Sequence, residues 1–170
     1  RLIEAGRFTA YDDALRLVID VKEAGLRLAA ASSSKNAGLL LRRIRLDRFA
    51  AEHGIDAPSV TPGLTLLDYF DVDVSGRDFP HGKPHPDMFL AAAAGLGLAP
   101  PGALVVEDAA AGVRAAKAGG MAAVGIARAG DADLLAGAGA DLVVTSLDQV
   151  DRAALRSGRL ARAARPGAGR

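Results

Sequence analysis

Residues 104–120 of the chain have the sequence LVVEDAAAGVRAAKAGG. An apolar run is followed by two adjacent acids, a turn of small residues and an Ala-rich segment that ends in two glycines. This order is typical of a buried parallel strand that leads directly into a helix. Glu107 and Asp108 then lie where the strand ends, at the edge of an open α/β sheet where ligands bind. Two carboxylates there supply the hard oxygen ligands that Mg²⁺ prefers. The alternative is that both acids only cap the helix.

The composition is that of a folded domain with an aliphatic core. Half of the 170 residues are hydrophobic, but only 4% are aromatic and none is Trp. Cysteine is absent, which excludes disulfides and thiolate metal sites. No signal peptide opens the chain and no apolar run is long enough to cross a bilayer, so we expect a cytoplasmic protein with no membrane partner.

Charge is unevenly distributed along the chain. Five of the 21 basic residues lie in residues 156–170, which contain no acid, so the preceding 155 residues carry 16 bases against 20 acids. A mildly acidic folded part argues against a nucleic-acid partner. We expect residues 156–170 to form a basic, disordered tail; contact of that tail with an anionic partner is the alternative.

Strands and helices alternate along the chain, which predicts an α/β fold with a doubly wound, Rossmann-like parallel sheet flanked by helices. We expect one core domain at residues 11–155, preceded by a linker at residues 1–10. The helix after Asn36 has an apolar side made of Leu39, Leu40, Ile44 and Leu46. The predicted helices are at residues 11–24, 88–96, 131–138 and 148–156, the strands at 26–31, 69–74, 103–106, 122–126 and 141–145, and an irregular insert at 47–68.

Two further polar segments follow strands of this predicted sheet. Residues 32–36 read SSSKN and supply hydroxyls, backbone N–H groups and one positive charge, which suit an anion. Residues 82–87 read GKPHPD, and a lysine between Gly and Pro has a restricted backbone that suits a fixed charge beside a phosphoryl group. Taken singly, the first segment could be a serine N-cap and the second an ordinary surface lysine before a helix.

Together the three segments predict a site for phosphoryl transfer. That chemistry needs cations and hydrogen-bond donors around the phosphoryl oxygens and carboxylates that hold a metal ion. His81 and His85 lie near the same edge, but we expect no direct role for either. His53 precedes a strand, at the opposite edge of the sheet, and we interpret it as structural.

The chain resembles the haloacid dehalogenase superfamily in these same segments. Residues 29–36 (AAASSSKN), 82–87 (GKPHPD) and 105–113 (VVEDAAAGV) are similar to motifs two, three and four of that superfamily, in the order and spacing that its β-phosphoglucomutase-like branch shows. The resemblance covers roughly residues 10–150. It implies the fold of that superfamily, Mg²⁺ as the cofactor and a small phosphorylated sugar as the substrate.

The resemblance also implies a role for each motif residue. Ser32 would bond the transferring phosphoryl group, and Lys83 would bridge that group and the nucleophilic carboxylate. Glu107 and Asp108 would hold Mg²⁺. The residues that would bind substrate phosphate are Ser32, Ser33, Ser34, Lys35, Asn36 and Lys83.

The first motif of the superfamily, an Asp-x-Asp that carries the nucleophile and the general acid/base, has no counterpart in this chain. Asp71 and Asp73 have the spacing but lie in the strand before the lysine loop, and Asp131 and Asp133 open a late helix. The helical cap domain is also missing, except for a remnant at residues 1–10. We therefore expect the core of a longer protein, or the product of a truncated gene, which alone forms no phosphoenzyme.

In the superfamily the missing strand is the first and lies at the centre of the sheet. Its neighbours here, the strands at 26–31 and 103–107, are then expected to expose unpaired backbone and apolar faces. They could close together, or a segment of another chain could fill the gap. Otherwise we expect marginal stability.

The implied function is that of the core of a Mg²⁺-dependent phosphotransferase that acts on sugar phosphates through an aspartyl phosphate. The Ser-Lys-Asn of residues 34–36 favours a mutase over a sugar-phosphate phosphatase. A truncated, non-catalytic core that binds phosphate or metal is the second hypothesis. A binding module of receiver type is the third, and it leaves the Gly-Lys-Pro loop unexplained.

Overall fold

The computed structural model describes residues 10–164 and shows an α/β protein with parallel sheets flanked by helices. The described part of the chain divides into two compact units, residues 10–78 and 79–164, where the sequence predicted one core domain. The prediction for residues 1–10 lies outside the described residues except at Ala10. The helices are α1 (Asp12–Glu23), α2 (Ala37–Arg43), α3 (Leu46–Glu52), α4 (Leu66–Tyr69), α5 (Asp87–Gly95), α6 (Ala110–Ala118), α7 (Ala132–Gly137) and α8 (Arg152–Arg156).

Among residues 10–164, five short strands form two parallel sheets, one in each unit. In the first unit β1 pairs with β2, with Ala29 opposite Val72. In the second unit the order is β3-β4-β5, with Val106 opposite Val124 and Gly125 opposite Val143. The strands are β1 (Ala29–Ala30), β2 (Val72–Asp73), β3 (Leu104–Glu107), β4 (Ala122–Ile126) and β5 (Leu142–Val144).

The prediction of an irregular insert at residues 47–68 is wrong, because this stretch is part of the core of the first unit. That stretch contains most of α3 and the start of α4, and both helices bury apolar side chains against α1. Leu39, predicted on the apolar side of its helix, is instead 40% exposed. Tyr69, predicted to begin a strand, ends α4, because Thr65 and Asp68 form a capping box that starts this helix. The buried members of the core cluster are Leu15, Ile19, Leu46, Phe49, Ala50, Ala57, Leu66 and Tyr69.

The second unit packs helices on a sheet whose central strand is β4. Residues 123–126 are all buried, as expected for a parallel strand that is covered on both faces. Gly125 has no room for a side chain, since a Cβ there would lie 3.0 Å from the Leu135 Cβ of α7. Val113 and Ala116 of α6 are also fully buried. The packing of β3 and α6 around β4 therefore sets the position of the junction between β3 and α6.

Strand β3 has one edge that pairs with no other strand among the described residues, because its partner is β4 alone. Leu104 and Val106 on one face of β3 are 37% and 41% exposed, whereas Val105 on the other face is buried. Strand β1 likewise pairs only with β2 in the described part of the chain. Both observations agree with the expectation of unpaired edges on these two strands.

Part of the predicted disordered tail is ordered. Arg156 ends α8, and Arg162 forms an antiparallel bridge with Val150 and donates to the side chain of Gln149 at 2.7 Å. The remainder of the predicted tail, residues 165–170, lies outside the described residues. Among residues 10–164, none of the helices has the length and apolar character needed to span a membrane.

Candidate active site

The loop of residues 32–36, called the serine loop below, follows β1 and leads into α2. The Ser32 Oγ accepts a hydrogen bond from the Ser34 N–H, and the Ser34 Oγ accepts one from the Asn36 N–H, each at 3.2 Å. Asn36, not a serine, is the N-cap of α2, and its side chain makes no capping bond. The serine N-cap considered from the sequence is therefore wrong. A hydroxyl that accepts such a bond can still donate its own proton to a ligand.

The side chain of Lys35, which was predicted to bind phosphate, contacts the loop that follows β2. Its Nζ donates to the Gly76 carbonyl at 2.9 Å and to the Asp78 Oδ1 at 2.5 Å. Both charged side chains are largely exposed, so this ion pair is weak and can be exchanged for another anion. A phosphate bound by Lys35 would compete with Asp78 for the ammonium group.

In the second unit, the structure brings together motif-three Lys83 and motif-four Glu107, which are 24 positions apart. The Lys83 Nζ donates to the Glu107 Oε2 at 2.6 Å. The two side chains are only 21% and 10% exposed, so water screens this pair poorly. The Lys83 Nζ also lies 5.1 Å from the centre of the Phe89 ring. The predicted lysine and acid therefore form one charged centre at the carboxyl end of β3.

Glu107 lies against the first turn of α6, and Gly112 makes this possible. A Cβ at Gly112 would be 2.2 Å from the Glu107 Cδ and 2.3 Å from its Oε2. The Ala109 N–H also donates to the Glu107 Oε1, at 3.3 Å. Gly112 is a site residue that the sequence analysis did not single out. The available signal was a glycine inside an Ala-rich helix, where alanine is the better helix former.

Asp108, expected to hold Mg²⁺ together with Glu107, is exposed beside this centre. Among the described residues, no group of three or more His, Cys, Asp or Glu side chains is placed to hold a metal ion. Mg²⁺, however, is commonly bound by one or two carboxylates together with water and substrate phosphate. The donor set of Asp108 and Glu107 fits that mode, with one Glu107 oxygen already bonded to Lys83.

The three histidines make structural contacts. His81 and His85 stack with ring centres 4.6 Å apart, and the His81 Nδ1 lies 3.1 Å from an Asp87 carboxylate oxygen. The ring of His53 packs on Phe49, and its Nδ1 is 2.9 Å from the Phe49 carbonyl oxygen. This agrees with the structural interpretation of His53.

Asp71, considered and rejected as a nucleophile, holds β1 to the end of α1. Its carboxylate accepts from the Lys22 Nζ at 2.6 Å and from the Leu28 N–H at 2.7 Å. Burial alone would raise the pKa of Asp71, but the hydrogen bonds from Lys22 and Leu28 outweigh burial and hold this pKa below its ordinary value. The Asp73 carboxylate accepts the Ser75 N–H at 2.8 Å. Asp131 is the N-cap residue of α7.

Residues 1–120 match the family model described as haloacid dehalogenase-like hydrolase. This chain belongs to the haloacid dehalogenase-like hydrolase family. Within the family it is similar to β-phosphoglucomutases. It is 37% identical over 129 residues to the β-phosphoglucomutase of Bacillus subtilis strain 168, an alignment that covers 76% of this chain and 46% of that protein.

Two further relatives widen the comparison within the family. The phosphoglycolate phosphatase of Escherichia coli strain K12 is 43% identical over 72 residues, which cover 41% of this chain and 29% of that protein. The crystal structure of an archaeal β-phosphoglucomutase from Pyrococcus sp. strain ST 04 superposes with a TM-score of 0.70 at 31% identity, over 92% of this chain and 60% of that one. The chain thus spans about half the length of the β-phosphoglucomutase it matches in Bacillus subtilis.

Proposed function

We propose that this chain forms the core of a Mg²⁺-dependent phosphotransferase that acts on a small phosphorylated sugar, as a β-phosphoglucomutase does. The observation that carries the proposal is the ion pair between Lys83 and Glu107 at the carboxyl end of β3. A poorly screened lysine and carboxylate, next to the exposed carboxylate of Asp108, suit a site where phosphoryl charge and a metal ion meet. Similarity to β-phosphoglucomutases supports the same assignment.

In the proposed mechanism the residues of this chain bind and orient the phosphoryl group. The hydroxyl of Ser32 donates to a phosphoryl oxygen, and the N–H groups and hydroxyls of Ser33 and Ser34, with Lys35 and Asn36, hold the substrate phosphate. Lys83 neutralises charge on the transferring group while Glu107 keeps the ammonium in place. Mg²⁺ held by Asp108 and Glu107 would offset the remaining phosphoryl charge.

The covalent step needs an aspartate that attacks phosphorus and releases the sugar oxygen. We propose that this aspartate is not among the residues of this chain, since Asp71 is engaged by Lys22 and the Leu28 N–H and Asp73 by the Ser75 N–H. The chain alone is then expected to bind phosphate and metal without forming an aspartyl phosphate. This keeps a non-catalytic binding core as one outcome of the test.

The second candidate activity is hydrolysis of a phosphate monoester. The 43% identity with a phosphoglycolate phosphatase over 72 residues favours it. The two activities differ in whether a sugar hydroxyl or water takes the phosphate from the aspartate. The serine loop with its Ser-Lys-Asn ending supports the mutase.

The test measures phosphate release and isomerisation of β-glucose 1-phosphate, with Mg²⁺ and with a chelator. The chain alone is compared with a chimera that adds the Asp-x-Asp strand and cap domain of a β-phosphoglucomutase. We expect turnover only from the chimera and only with Mg²⁺, and its loss in a chimera that carries Glu107→Gln. Turnover by the chain alone would show that its own residues include a nucleophile. An inactive chimera that is folded would contradict the proposed function.

A further inference from the structure

The serine loop contacts a second loop, residues 74–78, which follows β2 in the same unit; it is called the β2 loop below. The Gly76 N–H donates to the Ser32 carbonyl at 2.8 Å, and the Gly76 carbonyl accepts from the Lys35 Nζ at 2.9 Å. Both polar backbone groups of Gly76 are therefore bonded to the loop proposed to bind phosphate. Its neighbour Asp78 adds the ion pair with Lys35.

The two loops approach so closely at Gly76 that a side chain there would press on the backbone of the serine loop. A Cβ on Gly76 would lie 3.2 Å from the Lys35 Cα and 3.3 Å from the Ser34 carbonyl oxygen. These are backbone atoms, which cannot rotate away as the end of a side chain can. Gly76 also has a φ of +68°, a conformation that other residues adopt only with strain.

The β2 loop is itself anchored to the core of its unit. Val74 is fully buried, and its N–H donates to the Ala30 carbonyl of β1 at 3.0 Å. The Ser75 N–H donates to the Asp73 carboxylate at 2.8 Å, and the Arg77 side chain donates to the Asp73 carbonyl at 2.6 Å. The position of Gly76 is therefore set by the sheet.

The serine loop, in contrast, has little support of its own. Residues 33–36 are exposed, and the bonds within the loop are the two serine contacts and one from the Ala37 N–H to the Ser34 carbonyl, at 3.1 Å. Exposed loops held by few bonds open easily. Its conformation therefore depends on the contacts that the β2 loop provides.

We infer that Gly76 is a positioning residue of the phosphate site, which holds the serine loop in the conformation that binds phosphate. This inference rests on the proposed function and extends it to a residue outside the three motifs. Gly76 touches no substrate. It acts through Ser32, Ser34 and Lys35, whose backbone it fixes.

The test compares Gly76→Ala with Gly63→Ala in the full chain. Gly63 lies in the same unit with a φ of +89°, but a Cβ there would meet no atom within 4 Å. Both substitutions therefore strain the backbone, and only the first presses on the serine loop. Asp78→Asn, which removes the charge partner of Lys35 at an exposed position, serves as a milder second variant if Gly76→Ala does not fold.

The first measurement is amide hydrogen exchange of Ser34, Asn36 and Ala37 in the free chain. We expect exchange about tenfold faster in Gly76→Ala, a smaller increase in Asp78→Asn, and no change in Gly63→Ala. The second is the dissociation constant of inorganic phosphate with Mg²⁺ present, measured by calorimetry. We expect it to rise about tenfold in Gly76→Ala and to stay unchanged in Gly63→Ala.

Equal exchange in the two glycine variants would overturn the inference, because Gly76 would then not order the loop. Faster exchange with an unchanged dissociation constant would overturn the positioning role. If the unaltered chain binds no phosphate, the proposed phosphate site fails and the positioning role with it. The exchange data would then still decide separately whether Gly76 orders the loop.

Discussion

The Nζ of Lys83 lies 2.6 Å from the Oε2 of Glu107, and this contact joins two segments that are 24 positions apart in the chain. Both side chains are mostly buried. Removing one partner of such a pair leaves the other charge poorly solvated, whereas removing both does not. The contribution of the pair can therefore be measured by comparing the free energies of unfolding of the single and double variants.

We expect Lys83→Met to lower the free energy of unfolding by about 1–3 kcal/mol, because Glu107 loses its charged donor and keeps only the Ala109 N–H. Glu107→Gln should have a similar effect. The double variant should be less destabilised than the sum of the two, with a coupling energy of about 1 kcal/mol or more in urea unfolding. Strict additivity of the two substitutions would show that the contact contributes nothing to stability.

Gly112→Ala tests whether the glycine makes room for the Glu107 carboxylate. Gly137 in α7 is the matched control, since a Cβ there meets no atom within 4 Å. Gly137→Ala should stabilise the chain by up to about 0.5 kcal/mol through helix propensity, because Gly137 is the last residue of α7. Gly112→Ala should lose that gain and destabilise the chain, because Glu107 must leave Lys83. If both substitutions stabilise the chain equally, the Glu107 side chain can adopt another conformation at no cost in stability, and the prediction is wrong.

We expect the helices of the 47–68 stretch to contribute to the free energy of unfolding. Phe49→Ala should cost about 3 kcal/mol, since Phe49 is buried in the cluster with Leu15 and Leu46. Leu39→Ala, at a largely exposed position of α2, should cost well under about 1 kcal/mol. Urea unfolding measures both. Similar losses would mean that α3 does not form this core.

Asp47 gives the chain a pH-dependent contribution to stability. The Arg45 guanidinium donates to it at 2.6 and 2.9 Å, and the Gly63 N–H donates at 2.8 Å. These bonds, that from Arg45 first, hold the pKa of Asp47 well below its ordinary value. A depressed folded-state pKa stabilises the fold fully above the ordinary value, and this stabilisation is lost as the pH falls below about 4.

The measurement compares the melting temperature of the unaltered chain with that of Asp47→Asn at neutral pH and at successively lower pH. We expect the unaltered chain to melt higher at neutral pH and the difference to shrink below about pH 4. Asp56→Asn, an exposed acid of the same segment, is the control for general charge effects. A difference that stays constant down to low pH would contradict the role of the carboxylate.

Local patterns in the sequence were enough to predict most elements of the second unit. Strand β4 occurs at the predicted residues 122–126, because an unbroken apolar run between Gly120 and Ala127 is buried on both faces. Helix α5 begins and ends within one residue of its prediction. The position of Glu107 at the end of β3 also follows from the chain itself, because the strand and the helix α6 are adjacent in sequence.

In the first unit the local signals predicted α1 correctly but failed between residues 47 and 69. Residues 47–68 were predicted to be an irregular insert, and Pro58, Pro62 and Gly63 lie in that stretch. Helix α3 nevertheless forms, because Leu46, Phe49 and Ala50 lie on one helical face that packs into the core. Strand β1 is only Ala29–Ala30, shorter than the predicted 26–31, because β2 pairs with it over only two residues. The start of α4 was detectable in principle, since Thr65 and Asp68 have capping-box spacing.

By itself the sequence determined the order of the strands, the parallel α/β class and the residue types available for chemistry, since turn residues and hydrophobic periodicity act over a few positions. Only the tertiary structure decided which of those residues meet. Glu107 is bonded to Lys83 through the packing of the 82–87 loop beside β3, and Lys35 turns to Gly76 and Asp78. Contacts between distant positions depend on the packing of strands and helices, which no local pattern records.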